Sequence, residues 1–298
     1  MKDIIADVLI LGAGPAGLSA AIYASRAGKK TVVLKGQAPS RLEWAHKIEN
    51  YPGMDGVTGK EMLSSFEAQA VKFGAQIEES DALELALEMN PKMVTTRHSF
   101  IMASTVILAM GRGEHKRSVM NEDQYVGLGV SYCATCDGAF FKGKPVVVYG
   151  NDHEAFNDAI MLRDLGCEVT LISMNRFEGN QIAKGIKYLH KTQVVSVEGN
   201  GMVSSIKVKD AEGDSMIETR ALFIIQAMPS GILLKKTPLE TSDKDCIHVD
   251  RNMHTSIAGV YAAGDMTCGG LQVSISVGEG ATAALEALKY LREQASVQ

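Results

Sequence analysis

The chain has 298 residues, 46% of them hydrophobic and 22% charged, with a formal net charge of -5. That length can bury a core large enough for two domains, which excludes a disordered chain or a miniature disulfide scaffold. The mildly acidic balance gives no general attraction to nucleic acid, and the apolar runs stop short of the roughly 18 residues of a membrane span, so neither partner is expected.

The N-terminus passes from Met1-Lys2-Asp3 straight into apolar sequence, without the ordered zones of a signal peptide. Residues 8–11 read as a strand, 18–27 as a helix and 31–34 as a second strand, joined by Gly12-Ala13-Gly14-Pro15-Ala16-Gly17. In such a βαβ unit Gly12 permits the sharp turn, Gly14 lets the main chain approach a pyrophosphate, and Gly17 allows close helix–strand packing. Unsatisfied N–H groups at the helix start, where Pro15 and Ala16 lie, then face the anion. A glycine turn in an ordinary α/β core is the rival reading.

Thr58 and Glu61 match a capping box, predicting a helix to about residue 72. Strands are predicted over 93–98 and 100–109, and 119–131 is irregular enough to be a hinge. A second α/β unit follows, with a strand from Pro145, a helix over 154–165, and strands over 168–173, 194–198, 203–208 and 221–226. The chain then returns through 259–265 to an Ala-rich helix from about 273 to 292. The predicted architecture is α/β, two nucleotide-binding-like three-layer domains, with residues 115–242 inserted into a discontinuous domain of 1–114 and 243–298.

Five cysteines in a chain this long, two of them spaced CxxC, point to selective thiol chemistry in a reducing compartment, and the cytoplasm is the expected location. Cys133 and Cys136 can exchange between disulfide and dithiol, one thiolate attacking an external disulfide and the other resolving the mixed disulfide. Zinc is the alternative, but no second CxxC or Cys/His pair completes a set of about four ligands. Cys167 and Cys246 read as packed or inert thiols, and Cys268, near Gly269-Gly270, as a candidate for redox modulation.

At these residues the chain resembles the low-molecular-weight thioredoxin reductase family, through the first glycine turn, Ile48-Glu49-Asn50-Tyr51-Pro52-Gly53, Ser131 to Gly138, Gly264-Asp265 and Gln272-Val273. The resemblance covers almost the whole chain. It implies a homodimer that binds FAD in the discontinuous domain, carries the dithiol in the inserted one, and reduces thioredoxin. It also implies roles. Cys133 attacks the protein substrate, Cys136 faces the flavin, and Asp137 gives or takes the proton. Gly12, Gly14, Pro15, Ala16, Gly17, Asn50, Gly264, Asp265, Gln272 and Val273 become FAD contacts. Lys35-Gly36-Gln37 departs from the dinucleotide pattern by offering no acid for the adenosine ribose, a gap that Glu43 or Glu49 could fill. Trp44 has two readings, packing on the flavin edge or in ordinary core or interface.

The second expected glycine turn, after the strand from Pro145, reads Gly150-Asn151-Asp152-His153-Glu154-Ala155. Asn151 and Asp152 replace small residues, and Asp152 adds negative charge where a cofactor phosphate would arrive. Residues 171–177 offer Arg176 as a lone basic contact, and 226–231 depart from the usual closing sequence of a nicotinamide domain. This combination is similar to the ferredoxin-dependent flavin thioredoxin reductases, and it implies reduced ferredoxin as the donor. Lys184, Lys187 and Lys191 on a helix would present a positive stripe to such an acidic partner. NADPH use by an unusual site, another donor, or a slow-turnover flavin sensor stand as alternatives.

Overall fold

A strand covered on both faces needs a continuous apolar run, and residues 8–11 supply one. In the computed structural model, which describes residues 2–111, 119–132, 134–151, 153–176, 184–225, 230–242, 246–267, 269 and 272–297, that run is the buried end of β1 (Lys2–Leu11). The helix α1 (Pro15–Arg26) and the parallel strand β2 (Thr31–Lys35) complete the expected βαβ unit. The next helix, α2 (Gly59–Lys72), begins where its capping box predicts: Thr58 accepts the N–H of Glu61, and the Glu61 carboxylate accepts the N–H of Thr58 at 2.8 Å. Those bonds hold the Glu61 carboxyl below its ordinary pKa.

Four more strands follow, β3 (Gln76–Glu79), β4 (Ala82–Ala86), β5 (Lys92–Thr96) and β6 (Ser99–Leu108). The sheet order is β3-β2-β1-β6-β5-β4. The long β6 serves two neighbours on one side, pairing antiparallel with β5 along its first half and parallel with a strand at Val260–Ala262 along its second. A C-terminal segment thereby joins the sheet begun at the N-terminus.

The second unit starts with β7 (Val130–Ser131) and the single turn α3 (Ala134–Asp137). It continues through β8 (Pro145–Tyr149), α4 (His153–Asp164), β9 (Glu168–Ser173) and β10 (Ile186–His190). An antiparallel ribbon of β11 (Gln193–Gly199), β12 (Val203–Lys209) and β13 (Asp214–Glu218) precedes β14 (Ala221–Ile224). Its parallel sheet has the order β10-β9-β8-β14-β7. The lysine stripe expected of a helix is corrected here. Lys187 lies in β10, which pairs parallel with β9 from Ile186 to His190, and Lys191 has the left-handed φ of 54°. Pairing with β9 overrides any helical spacing, so the three lysines share no helix face.

After β14 come α5 (Ser230–Lys235), β15 (Val260–Ala262) and α6 (Val273–Val297), the last running beyond the expected 292. The chain divides into two compact units, Met1–Gly113 with Met228–Gln298, and Glu114–Ala227. In the first, Leu18, Ala20, Met62, Phe66, Ala283 and Ala287 cover one face of the sheet. Leu87, Leu233, Leu234 and Leu239 pack with Leu9 and Leu11 in a second cluster, which explains why α5 belongs to this unit. Each fully buried Leu or Met among them, such as Leu18, Met62 and Leu9, contributes roughly 1.5–3 kcal/mol. Among the described residues no helix is long and apolar enough to cross a membrane, and no cluster of His, Cys, Asp and Glu could hold a metal.

Candidate functional site

The first glycine turn is closed so tightly that side chains are excluded from it. A Cβ on Gly12, whose φ is 110°, would sit 2.3 Å from the Ala109 carbonyl oxygen, and one on Gly17 would sit 1.9 Å from that of Gly12. Gly14 differs, because its nearest neighbour would be Ser40 Oγ at 3.7 Å, so its surroundings are open enough for a ligand to approach the backbone. As N-cap of α1 Gly14 makes no side-chain cap bond, Pro15 follows it, and the first turn carries no acid. The amide groups and partial positive charge of this helix start are therefore suited to a phosphate.

Three further segments meet this cradle. Ser40 caps a 3-10 turn, Arg41–Trp44, and receives the Glu43 carboxylate on its own N–H at 3.0 Å. Within that turn, Arg41 lies 3.9 Å from the Asp265 carboxylate. Asp265 belongs to the 3-10 turn Gly264–Thr267, where Gly264 has φ 77° and a Cβ on it would come 3.0 Å from Ala16 Cβ. Glu279 of α6 clasps the turn, accepting Gly264 N–H at 2.7 Å and the Thr267 hydroxyl at 3.1 Å. Gly280 lets α6 approach, since a Cβ there would stand 2.0 Å from the Ala16 carbonyl oxygen.

Asn50 and Gln272, remote in sequence, meet through Asn50 Nδ2 donating to Gln272 Oε1 at 3.1 Å, and Val273 opens α6 against the core. Glu43 and Glu49 have other partners, the Ser40 N–H and Lys47 respectively. The carboxylate at the end of β2 comes instead from Asp81, which accepts Gln37 N–H at 3.1 Å. Spacing could not reveal it. Trp44 is 68% exposed, which removes core packing as its role.

In the second unit Cys133 lies outside the described residues, and Cys136 stands on α3 next to Asp137. Asp137 is half-buried and makes no side-chain cap bond to the 3-10 turn Gly138–Phe141 that it precedes. The main chain turns there because Gly138 packs on α4; a Cβ would come 2.6 Å from Leu162 Cδ2. Ahead of the pair, Tyr132 is 1% exposed, and burial, with Glu122 next in effect, pushes its phenol up so that it stays protonated. The Glu122 carboxylate, equally buried, accepts the Val119 N–H at 3.1 Å.

Cys167 is a free, buried thiol whose Sγ lies 3.3 Å from the Phe141 carbonyl oxygen, and burial pushes its pKa up, in keeping with an inert role. Cys246 departs from that expectation, being disulfide-bonded. Cys268 lies outside the described residues.

The turn after β8 is constructed differently from the one after β1. Gly150 is packed in, since a Cβ would meet Ala155 Cβ at 2.6 Å and the Ile225 carbonyl oxygen at 3.0 Å. Asn151 then reaches across to the end of β9, its Oδ1 accepting the Ser173 hydroxyl at 3.0 Å and the Met174 N–H at 2.8 Å. Asn175 returns a bond from Nδ2 to the Asn151 carbonyl at 3.3 Å. Asp152 and residues 226–229 lie outside the described residues.

An α/β unit whose glycine turn forms an open phosphate cradle, joined in one chain to a CxxC-bearing α/β unit, defines a dinucleotide-dependent disulfide oxidoreductase. Residues 6–286 match the family model described as pyridine nucleotide-disulphide oxidoreductase, and the chain belongs to that family, within its thioredoxin reductase group. It is 34% identical to the thioredoxin reductase of Aquifex aeolicus, over 97% of this chain and 94% of that one. The structure of a ferredoxin-flavin thioredoxin reductase from Clostridium acetobutylicum superposes with TM-score 0.81 at 33% identity, covering 98% of this chain and 100% of that one. A thioredoxin reductase from Gloeobacter violaceus gives 0.76 at 30% identity, covering 97% and 95%. FAD is the cofactor that this membership brings, and the Gly12–Gly17 cradle, open at Gly14 alone, fits its pyrophosphate.

Proposed function

We propose that the protein takes electrons from reduced ferredoxin and, by way of FAD and the Cys133–Cys136 disulfide, reduces thioredoxin. The start of α1, from Gly12 through Gly14, Pro15, Ala16 and Gly17, holds the pyrophosphate. Gly264 and Asp265 take the ribityl and phosphate region, and Asn50, Gln272 and Val273 the isoalloxazine side. When bound, FAD supplies a centre that accepts electrons one at a time and delivers a pair, which no side chain here can do.

With Cys136 as the sulfur facing the flavin, reduction of the Cys133–Cys136 bridge would free Cys133, whose thiolate attacks the thioredoxin disulfide. Cys136 then resolves the mixed disulfide and regenerates the internal bridge. Asp137, with no cap bond to the following turn, exchanges the proton that accompanies thiolate formation. The resemblance in motifs supports a cytoplasmic homodimer.

The observation that carries the choice of donor is the Asn151 brace. Its side chain bridges the β8 turn and the end of β9, the two segments on which a nicotinamide dinucleotide lays its pyrophosphate and adenosine ribose in this fold. Likeness to a ferredoxin-flavin enzyme supports the same reading. Anaerobic stopped-flow absorbance tests it: reduced ferredoxin should reduce the flavin and drive thioredoxin turnover, and NADPH and NADH should be poor reductants. Fast flavin reduction by NADPH with no response to ferredoxin rejects the donor and leaves the FAD–dithiol chemistry intact.

A further inference from the structure

In a dinucleotide-binding βαβ unit, an acid about 20 residues beyond the glycine turn, at the end of the second strand, accepts the hydroxyls of the adenosine ribose. Here that place is Lys35-Gly36-Gln37, which brings no acid. The fold delivers one from another strand. β2 and β3 run parallel with Lys35 opposite Glu79, and the pairing extends one step further as Ser80 N–H donates to the Lys35 carbonyl at 3.0 Å. The two strands therefore end side by side, and the next residue, Asp81, turns in over Gly36.

A Cβ on Gly36 would come 2.5 Å from Asp81 Oδ1, and beyond its own chain neighbours no other described side chain or backbone lies within 4 Å of that position. The backbone of Gly36 is not left-handed. Glycine is thus needed there for room rather than for conformation: it vacates the place that a side chain of the β2 end would fill, and a carboxylate from the connection between β3 and β4 fills it. Gln37 N–H donates to Asp81 Oδ1 at 3.1 Å and orients that carboxylate. The neighbouring acids are engaged elsewhere, Glu43 with Ser40 N–H, Glu49 with Lys47, and Glu67 with Lys35 at 2.9 Å.

We propose that Asp81 is the residue that selects the adenosine ribose of FAD, accepting its hydroxyls, and that Gly36 makes the room for it. An ionised carboxylate accepts at roughly four positions, so it can hold Gln37 N–H and ribose hydroxyls together. Its charge repels a phosphate on the same ribose, so the first unit takes an adenosine with free hydroxyls and discriminates against a 2′-phosphorylated dinucleotide. The proposal rests on FAD lying in the Gly12–Gly17 cradle, and it extends that reading to the far end of the cofactor.

The test exchanges the flavin of the full-length holoprotein against FAD analogues that lack the 2′- or the 3′-hydroxyl of the adenosine ribose, with chromatography of the extracted flavin as the readout. Wild-type protein equilibrated with an equal mixture should retain FAD over at least one analogue by on the order of tenfold, the effect of one charge-assisted hydrogen bond. Asp81→Ala should take FAD and both analogues alike, and should release FAD on dilution about tenfold faster, read as flavin fluorescence. A Gly36→Asp/Asp81→Ala variant, which returns the carboxylate to the end of β2, should recover the preference. An Asp81 that merely braced the Gln37 loop would alter stability and release without altering the choice between ribose forms. If Asp81→Ala fails to fold, Asp81→Asn decides in its place, since it keeps an oxygen for Gln37 N–H and loses the charge; its preference should fall several-fold. Wild-type protein that takes FAD and both analogues equally overturns the proposal, as does a folded Asp81→Ala variant with the wild-type preference. Protein isolated without flavin overturns the FAD assignment and this proposal with it, whereas bound FAD without a ribose preference overturns this proposal alone.

Discussion

The turns after β1 and after β8 each follow a strand of a parallel βαβ segment, yet their side chains treat that place in opposite ways. After β1, Gly12 and Gly17 close the turn while Gly14 leaves the backbone open, and the start of α1 has neither cap nor acid. After β8, Gly150 is packed against Ala155 and Ile225, and Asn151 bonds to Ser173 and Met174. One unit presents its helix start to an anion; in the other, the turn residue Asn151 is bonded to the end of the neighbouring strand β9. The contrast teaches that one topology can carry two differently built turns at the place where a nucleotide binds, and that a few side chains set the difference.

Substituting the turn glycines should break the contrast most severely. Gly17→Ala places a Cβ against a backbone oxygen at 1.9 Å, where neither partner can swing away. About 3 kcal/mol of destabilisation is expected, with loss of flavin on gel filtration. Gly150→Ala should cost about 2 kcal/mol through its contacts in the second unit while flavin stays bound, and thermal unfolding with flavin absorbance checks both. Equal loss of flavin in the two variants would remove the distinction between the turns.

Glu279→Ala should come next, because Glu279 joins α6 to Gly264 and Thr267 in the first unit alone. Loss of charge-assisted bonds predicts about 2 kcal/mol and a lower flavin content, with the Cys133–Cys136 pair still forming. Flavin-to-protein absorbance ratios and thiol counting measure the two effects. Asn151→Ala should be mildest. Removing the brace is expected to cost about 1 kcal/mol and to leave NADPH a poor reductant, because 171–176 still offers Arg176 as its lone basic side chain. Stopped-flow reduction by NADPH sharpens the comparison, since rapid reduction in the variant would identify Asn151 by itself as the barrier.

Much of this was legible along the chain because the responsible contacts are local. The glycine spacing at 12–17 and the Thr58–Glu61 cap are short-range patterns, and both elements appear where spacing predicts. The strand over 168–173 has the bounds that its apolar run predicts. Local spacing failed at Lys184, Lys187 and Lys191, where pairing with β9 draws the middle of the segment into a strand. It failed again at Cys246, which is disulfide-bonded rather than a free thiol, next to Ile247, whose N–H reaches the carbonyl of the distant Met266.

By itself the sequence determined the two nucleotide-like folds, the glycine turn and the CxxC pair, since periodicity and short motifs encode backbone geometry directly. Tertiary structure alone decided that Asp81 rather than Glu43 or Glu49 stands at the end of β2, that Glu279 clasps the Asp265 turn, and that Asn151 bonds to Ser173 at the end of β9. Each of those contacts joins residues far apart in the chain, and a hydrogen bond forms only between groups that the completed fold has brought within about 3 Å.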